Sequence, residues 1–207
     1  MRIHREIEEE IEKRLREFTL LWRKGDDREI FKEFVFCILT PQSKAKICWR
    51  VVEEMDSSGV LYYGNEEEIE RFLYGVRFKH TKAKRIVKAR KKFYRDGKFL
   101  IKYELSKMKS AEDMRDYLVK EVEGYGYKEA SHFLRNISLG LNLAILDRHI
   151  LKNLKKLGVI ENISGSLSRR SYLDIERKMR DFAEEIGIPM AHLDFVLWYR
   201  ETGEVFK

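Results

Sequence analysis

The chain has 207 residues and a formal net charge of +7, with 37% of its positions charged, which suffices for a substantial core in one or two small domains. Two prolines and twelve glycines leave long helices uninterrupted and argue against an all-β fold. Cys37 and Cys48, the only cysteines, are too few for an iron–sulfur cluster or a disulfide framework, and no apolar run reaches membrane-spanning length.

The amino-terminal stretch MRIHREIEEEIEKR lacks the apolar segment of a signal peptide, so a soluble cytoplasmic protein is expected. Its helix is marked by Ile3, Ile7, Ile11, Leu15, Phe18 and Trp22 at three- and four-residue steps. Gly25 ends it, and Asp26 and Asp27 can cap a second helix carrying Ile30, Phe34, Cys37 and Ile38. Pro41 stops that helix within LTPQSKAK, and Ser43 is expected to cap the next one, towards Met55. Short elements follow to about Gly75, then a basic helix from about Lys79 to Asp96. Ala111, Met114, Leu118 and Val122 form one stripe; Phe133, Leu134, Ile137 and Leu141 form the next, and Leu151, Leu154 and Leu157 another that Gly158 terminates. The Gly- and Ser-containing segment from Ile160 to Arg169 reads as a loop. Beyond it, Tyr172, Ile175, Met179, Phe182 and Ile186 mark a helix, and Pro189 opens the last one at a first-turn position. Period-2 alternation is nowhere sustained, so the fold is expected to be all-α.

Between the stripes at 111–122 and 133–141 lies VEGYGYKEA. Gly124 and Gly126 permit a tight turn whose backbone N–H groups can face a phosphate, aided by the positive end of the following helix. An ordinary turn between packed helices explains the two glycines equally well. Lys128, in the first turn of that helix, meets a macrodipole that disfavours ammonium and favours the neutral amine that attacks carbon; the alternative is a solvated lysine. Asp147, nineteen residues beyond Lys128, precedes RHILKNLKKLG and reads as an N-cap. An ionised carboxylate there could also stabilise a sugar that develops positive charge.

The pattern G-Y-G-Y-K, followed after nineteen residues by D-R-H, resembles the helix–hairpin–helix DNA glycosylases. In length, helix order and terminus the chain resembles the compact archaeal-type (type 2) 8-oxoguanine DNA glycosylase/lyase family. That resemblance implies a base-excision repair enzyme, with Lys128 as nucleophile, Asp147 as catalytic carboxylate and His149 on a DNA phosphate. Lys128 would displace the base at the anomeric carbon, and the resulting imine would permit β-elimination of the strand. Neither a metal nor an organic cofactor is expected, and the partner is double-stranded DNA containing 8-oxoguanine. The resemblance further implies two helical domains, residues 1–32 with 147–207 and residues 33–146, the latter carrying the helix–hairpin–helix at about 111–139. The active site would lie in the cleft between them, in a monomer acting at the nucleoid of an archaeal or heat-adapted source.

Supporting residues follow from both lines of reasoning. LTPQS resembles a loop of endonuclease III relatives, and by that resemblance Gln42 would enter the gap left by a flipped base or touch the opposite strand. The helix from Lys79 to Lys92 holds eight Lys and Arg residues and no acid, so Lys82, Lys84 and Arg85 are expected on phosphates. Asp194 and Trp198, four apart, share a helical face. With the terminal Lys207, which the family uses in base recognition, they are assigned to reading the damaged base. Two other readings stand beside this one: a glycosylase for another damaged or mismatched base, and a non-catalytic helix–hairpin–helix DNA-binding module.

Overall fold

In a computed structural model of the chain, which describes residues 2–163 and 165–207, the all-α expectation holds. Ser164, within the expected loop, and Met1 lie outside the described residues. The elements are α1 (Arg2–Lys24), α2 (Asp27–Leu39), α3 (Ala45–Ser57), α4 (Val60–Tyr63), α5 (Glu66–Phe72), α6 (Lys79–Phe93), β1 (Tyr94–Arg95), β2 (Lys98–Phe99), α7 (Ile101–Leu105), α8 (Ala111–Glu121), α9 (Tyr127–Asn136), α10 (Arg148–Lys156), α11 (Arg169–Glu185) and α12 (Met190–Thr202).

Helix α2 is the axis of the molecule. Asp26 accepts from the N–H groups of Arg28 and Glu29, both at 2.9 Å, and Glu29 returns a bond to the Asp26 N–H. Such a capping box contributes about 1 kcal/mol. From Ile30 to Leu39 every residue except Lys32 is buried, so α2 is enclosed on all sides, the expected fate of a helix apolar all round. Phe34 stacks on Tyr125 at 4.6 Å and meets Phe93 and Phe133 edge-on, both at 5.2 Å. Through these rings α2 holds α6, α9 and the turn before α9 in one core.

Buried apolar side chains fall into three groups. The largest runs from Ile30 to Leu143 around α2. A second joins Ala144, Leu146 and residues of α10, α11 and α12. The third pairs α1 with α12 through Ile7, Ile11, Phe18, Phe195 and Val196. The segment between α9 and α10 thus passes from one core to the next just before Asp147.

Three local expectations are corrected. The basic helix ends at Phe93 rather than Asp96, because Asp96 and Gly97 take positive φ (50° and 80°) and close a two-stranded hairpin, Tyr94 opposite Phe99. An Asp-Gly pair is the favoured sequence for that turn. Lys44, not Ser43, occupies the N-cap of α3. Leu141 lies beyond α9, which stops at Asn136 as Ser138 turns to φ 63°.

Candidate active site

Tyr125 explains how the glycine turn is held. Its hydroxyl donates to the Phe34 carbonyl at 2.8 Å beneath the core, which pins the turn between its two glycines. Gly124 has φ +94°, a conformation that favours glycine, and a Cβ there would sit 2.5 Å from Arg85 Cδ and push that side chain aside. Gly126 is the N-cap of α9 in extended conformation, and its N–H donates to Glu129 Oε2 at 3.1 Å. The Gly126 N–H expected to face a phosphate is therefore engaged by a carboxylate of its own helix.

Lys128 is the second residue of α9, with a partly buried side chain. Its Nζ lies 3.4 Å from Thr40 Oγ1 and 3.4 Å from Glu129 Oε1. Both contacts are long, so the amine is loosely held where the end of α2 meets the start of α9. Asp147 caps α10 as expected, Oδ1 accepting from the N–H groups of His149 and Ile150 at 2.8 Å each. Both bonds fall on one oxygen, which leaves the second available for chemistry. Capping and a catalytic role are compatible.

Asp194 joins these two groups. It is buried on α12, and burial pushes its carboxyl up to about 6, against the opposing pull of Arg135. Asp147 and Lys128 are the next groups whose charges bear on it, one raising and one lowering it. One buried carboxyl thus lies within electrostatic reach of both. Arg135 Nη2 approaches Asp194 Oδ2 at 3.6 Å, while Arg135 Nε and Nη1 have no partner. One turn along α12, Trp198 meets the His149 ring edge-on at 5.3 Å, and its buried Nε1 also lacks a partner.

Lys207 returns to the same region from the far end of the chain. Its ammonium pairs with the buried Glu33 and stands 3.3 Å from the centre of the Trp49 ring. The second Glu33 oxygen accepts from Asn136 Nδ2 at 3.0 Å. His132, one turn after Lys128, is buried against Phe36, and neither ring nitrogen has a hydrogen bond. Burial, reinforced by Arg135 and Lys128, holds this imidazole well below its ordinary pKa and hence neutral.

The basic helix divides sharply. Lys84 is exposed and Arg85 half-buried against the glycine turn, but Lys82 is only 1% exposed. Its Nζ donates to the carbonyls of Leu39 and Pro41 at 2.7 Å each and to Ser43 Oγ at 3.1 Å. A phosphate contact is thereby corrected to a structural one: Lys82 neutralises the carbonyl end of α2 and grips the loop in which Gln42 takes φ 56°. Burial pushes its pKa down to about 8. Ser43, expected as a helix cap, instead serves this clamp and also accepts from the Arg77 N–H at 3.0 Å. The sequence reading missed Thr40, Glu33, His132 and Arg135, whose roles depend on distant partners. Glu129 was legible, because Gly126-x-x-Glu129 has capping-box spacing.

Comparison with known proteins bears on this arrangement. A family model described as 8-oxoguanine DNA glycosylase matches residues 11–188. An 8-oxoguanine DNA glycosylase/AP lyase of Fusobacterium nucleatum is 44% identical over 206 residues, covering 100% of this chain and 95% of that protein. Its counterpart from Methanocaldococcus jannaschii is 40% identical over 204 residues, covering 98% and 94% respectively. A crystal structure of the M. jannaschii 8-oxoguanine glycosylase/lyase in complex with a 15mer DNA containing 8-oxoguanine superposes with a TM-score of 0.87 at 38% identity, over 98% of this chain and 94% of that one.

Proposed function

The chain belongs to the 8-oxoguanine DNA glycosylase family, and from that premise we propose that it excises 8-oxoguanine from double-stranded DNA and then cleaves the abasic strand. Lys128 Nζ attacks the anomeric carbon of an extruded nucleotide and sheds a proton, and the bond to the base breaks with its electron pair leaving on the base, which takes up a proton. The carboxylate of Asp147 stabilises the positive charge that develops on the sugar. Opening of the sugar gives an imine with Lys128; loss of a proton from the adjacent carbon then expels the 3′ phosphate. Trp198, Asp194 and Lys207 read the base. Gly124, His149, Lys84 and Arg85 bind the strand, Gly126 joins them once a phosphate replaces Glu129 at its N–H, Gln42 enters the gap, and no cofactor takes part.

The observation that supports this reading best is that the charges of both Lys128 and Asp147 bear on the buried carboxyl of Asp194, on the helix we assign to base reading. Partnerless buried nitrogens on His132, Arg135 and Trp198 fit a region completed by a polar ligand. For the two-domain division, residues 1–32 with 147–207 against residues 33–146, the change of apolar core at Leu143 and Ala144 speaks in favour of the second boundary, whereas the first falls inside α2, whose Ile30 and Phe31 belong to the central core. The described residues contain no helix long and apolar enough to cross a membrane, and the enzyme is taken to act as a cytoplasmic, nucleoid-associated monomer.

Borohydride trapping tests the proposal on duplexes carrying one 8-oxoguanine, guanine, thymine glycol or abasic site. A covalent adduct selective for 8-oxoguanine over the other bases, lost in Lys128→Gln, is the expected result. Equal strand cleavage by the wild type and Lys128→Gln would instead identify a different nucleophile, duplex binding with neither adduct nor cleavage a binding module, and selectivity for thymine glycol a different substrate.

A further inference from the structure

Helices α1 and α12 meet through a pair of histidines that the reaction does not use. His4 Nε2 and His192 Nδ1 face each other at 3.1 Å, although 188 positions separate them. Glu8, one turn along α1 from His4, brings Oε1 to 3.9 Å from His4 Nε2. One ligand atom from each of the three residues lies within 4.8 Å of the other two. His4 is 13% exposed and Glu8 48% exposed, so the group opens to solvent on the carboxylate side.

We propose that His4, Glu8 and His192 form a binding site for a first-row divalent transition metal, with zinc the natural occupant by ligand type. Zinc–nitrogen bonds of about 2.0–2.1 Å at a tetrahedral angle separate two imidazole nitrogens by roughly 3.3 Å, close to the spacing already present. The two imidazoles need almost no rearrangement, and rotation of the half-exposed Glu8 supplies the third ligand. Solvent supplies the fourth. Two imidazoles and one carboxylate suit zinc and its neighbours rather than magnesium or calcium, which prefer all-oxygen shells.

The consequence is mechanical. His4 and Glu8 belong to the first helix, while His192 lies two residues before Asp194 on the helix that also carries Trp198. A metal there would cross-link α1 to α12, which also meet through Phe18 and Phe195, ring centres 6.5 Å apart. The site stabilises the supporting helices and supplies no group to the reaction.

The test is titration of chelator-stripped protein with zinc chloride, read by calorimetry and by thermal unfolding. One zinc per chain is expected, with Tm raised by about 5 °C or more once free zinc exceeds Kd a hundredfold. His4→Gln and His192→Gln should each remove both responses, and Glu8→Gln should weaken binding about tenfold or more. Magnesium at the same concentration should leave Tm unchanged. A zinc response that survives in the His4→Gln/His192→Gln double variant, or its absence in the wild type, overturns the proposal. In the latter case the 3.1 Å contact is only a hydrogen bond between the two imidazoles.

Discussion

Among the described residues two arginine–carboxylate pairs are buried, and they are built differently. Arg115 on α8 holds Glu176 on α11 through two parallel bonds, 2.6 and 3.0 Å long. Glu176 also accepts from the Ala144 N–H at 2.8 Å, and Tyr172 donates to the Ala144 carbonyl at 2.6 Å. Every oxygen of Glu176 has a partner and only Nε of the Arg115 guanidinium has none, and the network fixes the segment that leads into Asp147. Arg135 and Asp194 lie 3.6 Å apart, with two guanidinium nitrogens unpartnered and the carboxyl pushed up to about 6. Folding alone would favour closing the second pair as tightly as the first. A buried polar set left incomplete beside Lys128, Asp147, Trp198 and Lys207 is suited to a ligand that brings its own donors and acceptors.

The largest difference should appear when each arginine is removed. Arg115→Met leaves Glu176 charged, buried and half-satisfied, a change that typically costs about 3–5 kcal/mol. For a chain of this length that lowers Tm by about 10 °C. Arg135→Met should cost less than half as much, because Asp194 already lies near neutrality and can take up a proton. Urea unfolding of both variants at pH 7 measures the contrast. Equal losses would mean that the looser pair is also a structural strut, and the comparison would fail.

The second test uses pH. The carboxyl of Asp194 is raised from 3.8 to about 6 in the folded protein by burial, despite Arg135. Between those values the folded state binds more protons than the unfolded chain, so this group's contribution to stability falls as pH rises through the window. The loss is complete somewhat above pH 6 and amounts to about 3 kcal/mol. Asp194→Asn cannot titrate. Its stability relative to the wild type should therefore improve by about that amount between pH 4 and 7, measured as urea midpoints at intervals of one pH unit. A difference that stays constant with pH would refute the burial argument.

Much of this organisation was legible because it is local. Helix order follows from apolar spacing, the start of α2 from Asp26-x-x-Glu29, and the cap of α10 from Asp147. The hairpin at Asp96-Gly97 was equally local and was missed, because a two-residue strand offers no alternation to detect. Lys82 failed for another reason. In a row of eight cations its sequence neighbourhood cannot reveal that the end of α2 lies 43 residues away and needs an ammonium against its carbonyls. Glu33 is the sharpest case: an acid in an apolar helix reads as one outward-facing residue, yet it is 2% exposed and holds Lys207 from 174 positions away. Residues whose partners are remote in sequence carry no periodic signal of their own.

Glu33 also supplies the finest test of the contrast between strut and site. It binds Lys207 with one oxygen and Asn136 with the other, so it is satisfied like Glu176 but stands in the region assigned to base reading. Glu33→Gln preserves shape and retains an acceptor for Asn136 while removing the charge that anchors Lys207. The released ammonium is near the chain end and can reach water, so the stability cost should be only about 1–2 kcal/mol, far below that of Arg115→Met. If Lys207 reads the base, the effect on chemistry should be selective. Excision of 8-oxoguanine should slow by about tenfold, the equivalent of about 1.4 kcal/mol, while nicking of a ready-made abasic site stays within about twofold. Single-turnover rates on the two duplexes separate the possibilities: parallel losses would make Glu33 a strut like Glu176, and a loss confined to the intact lesion would make it the anchor of base recognition.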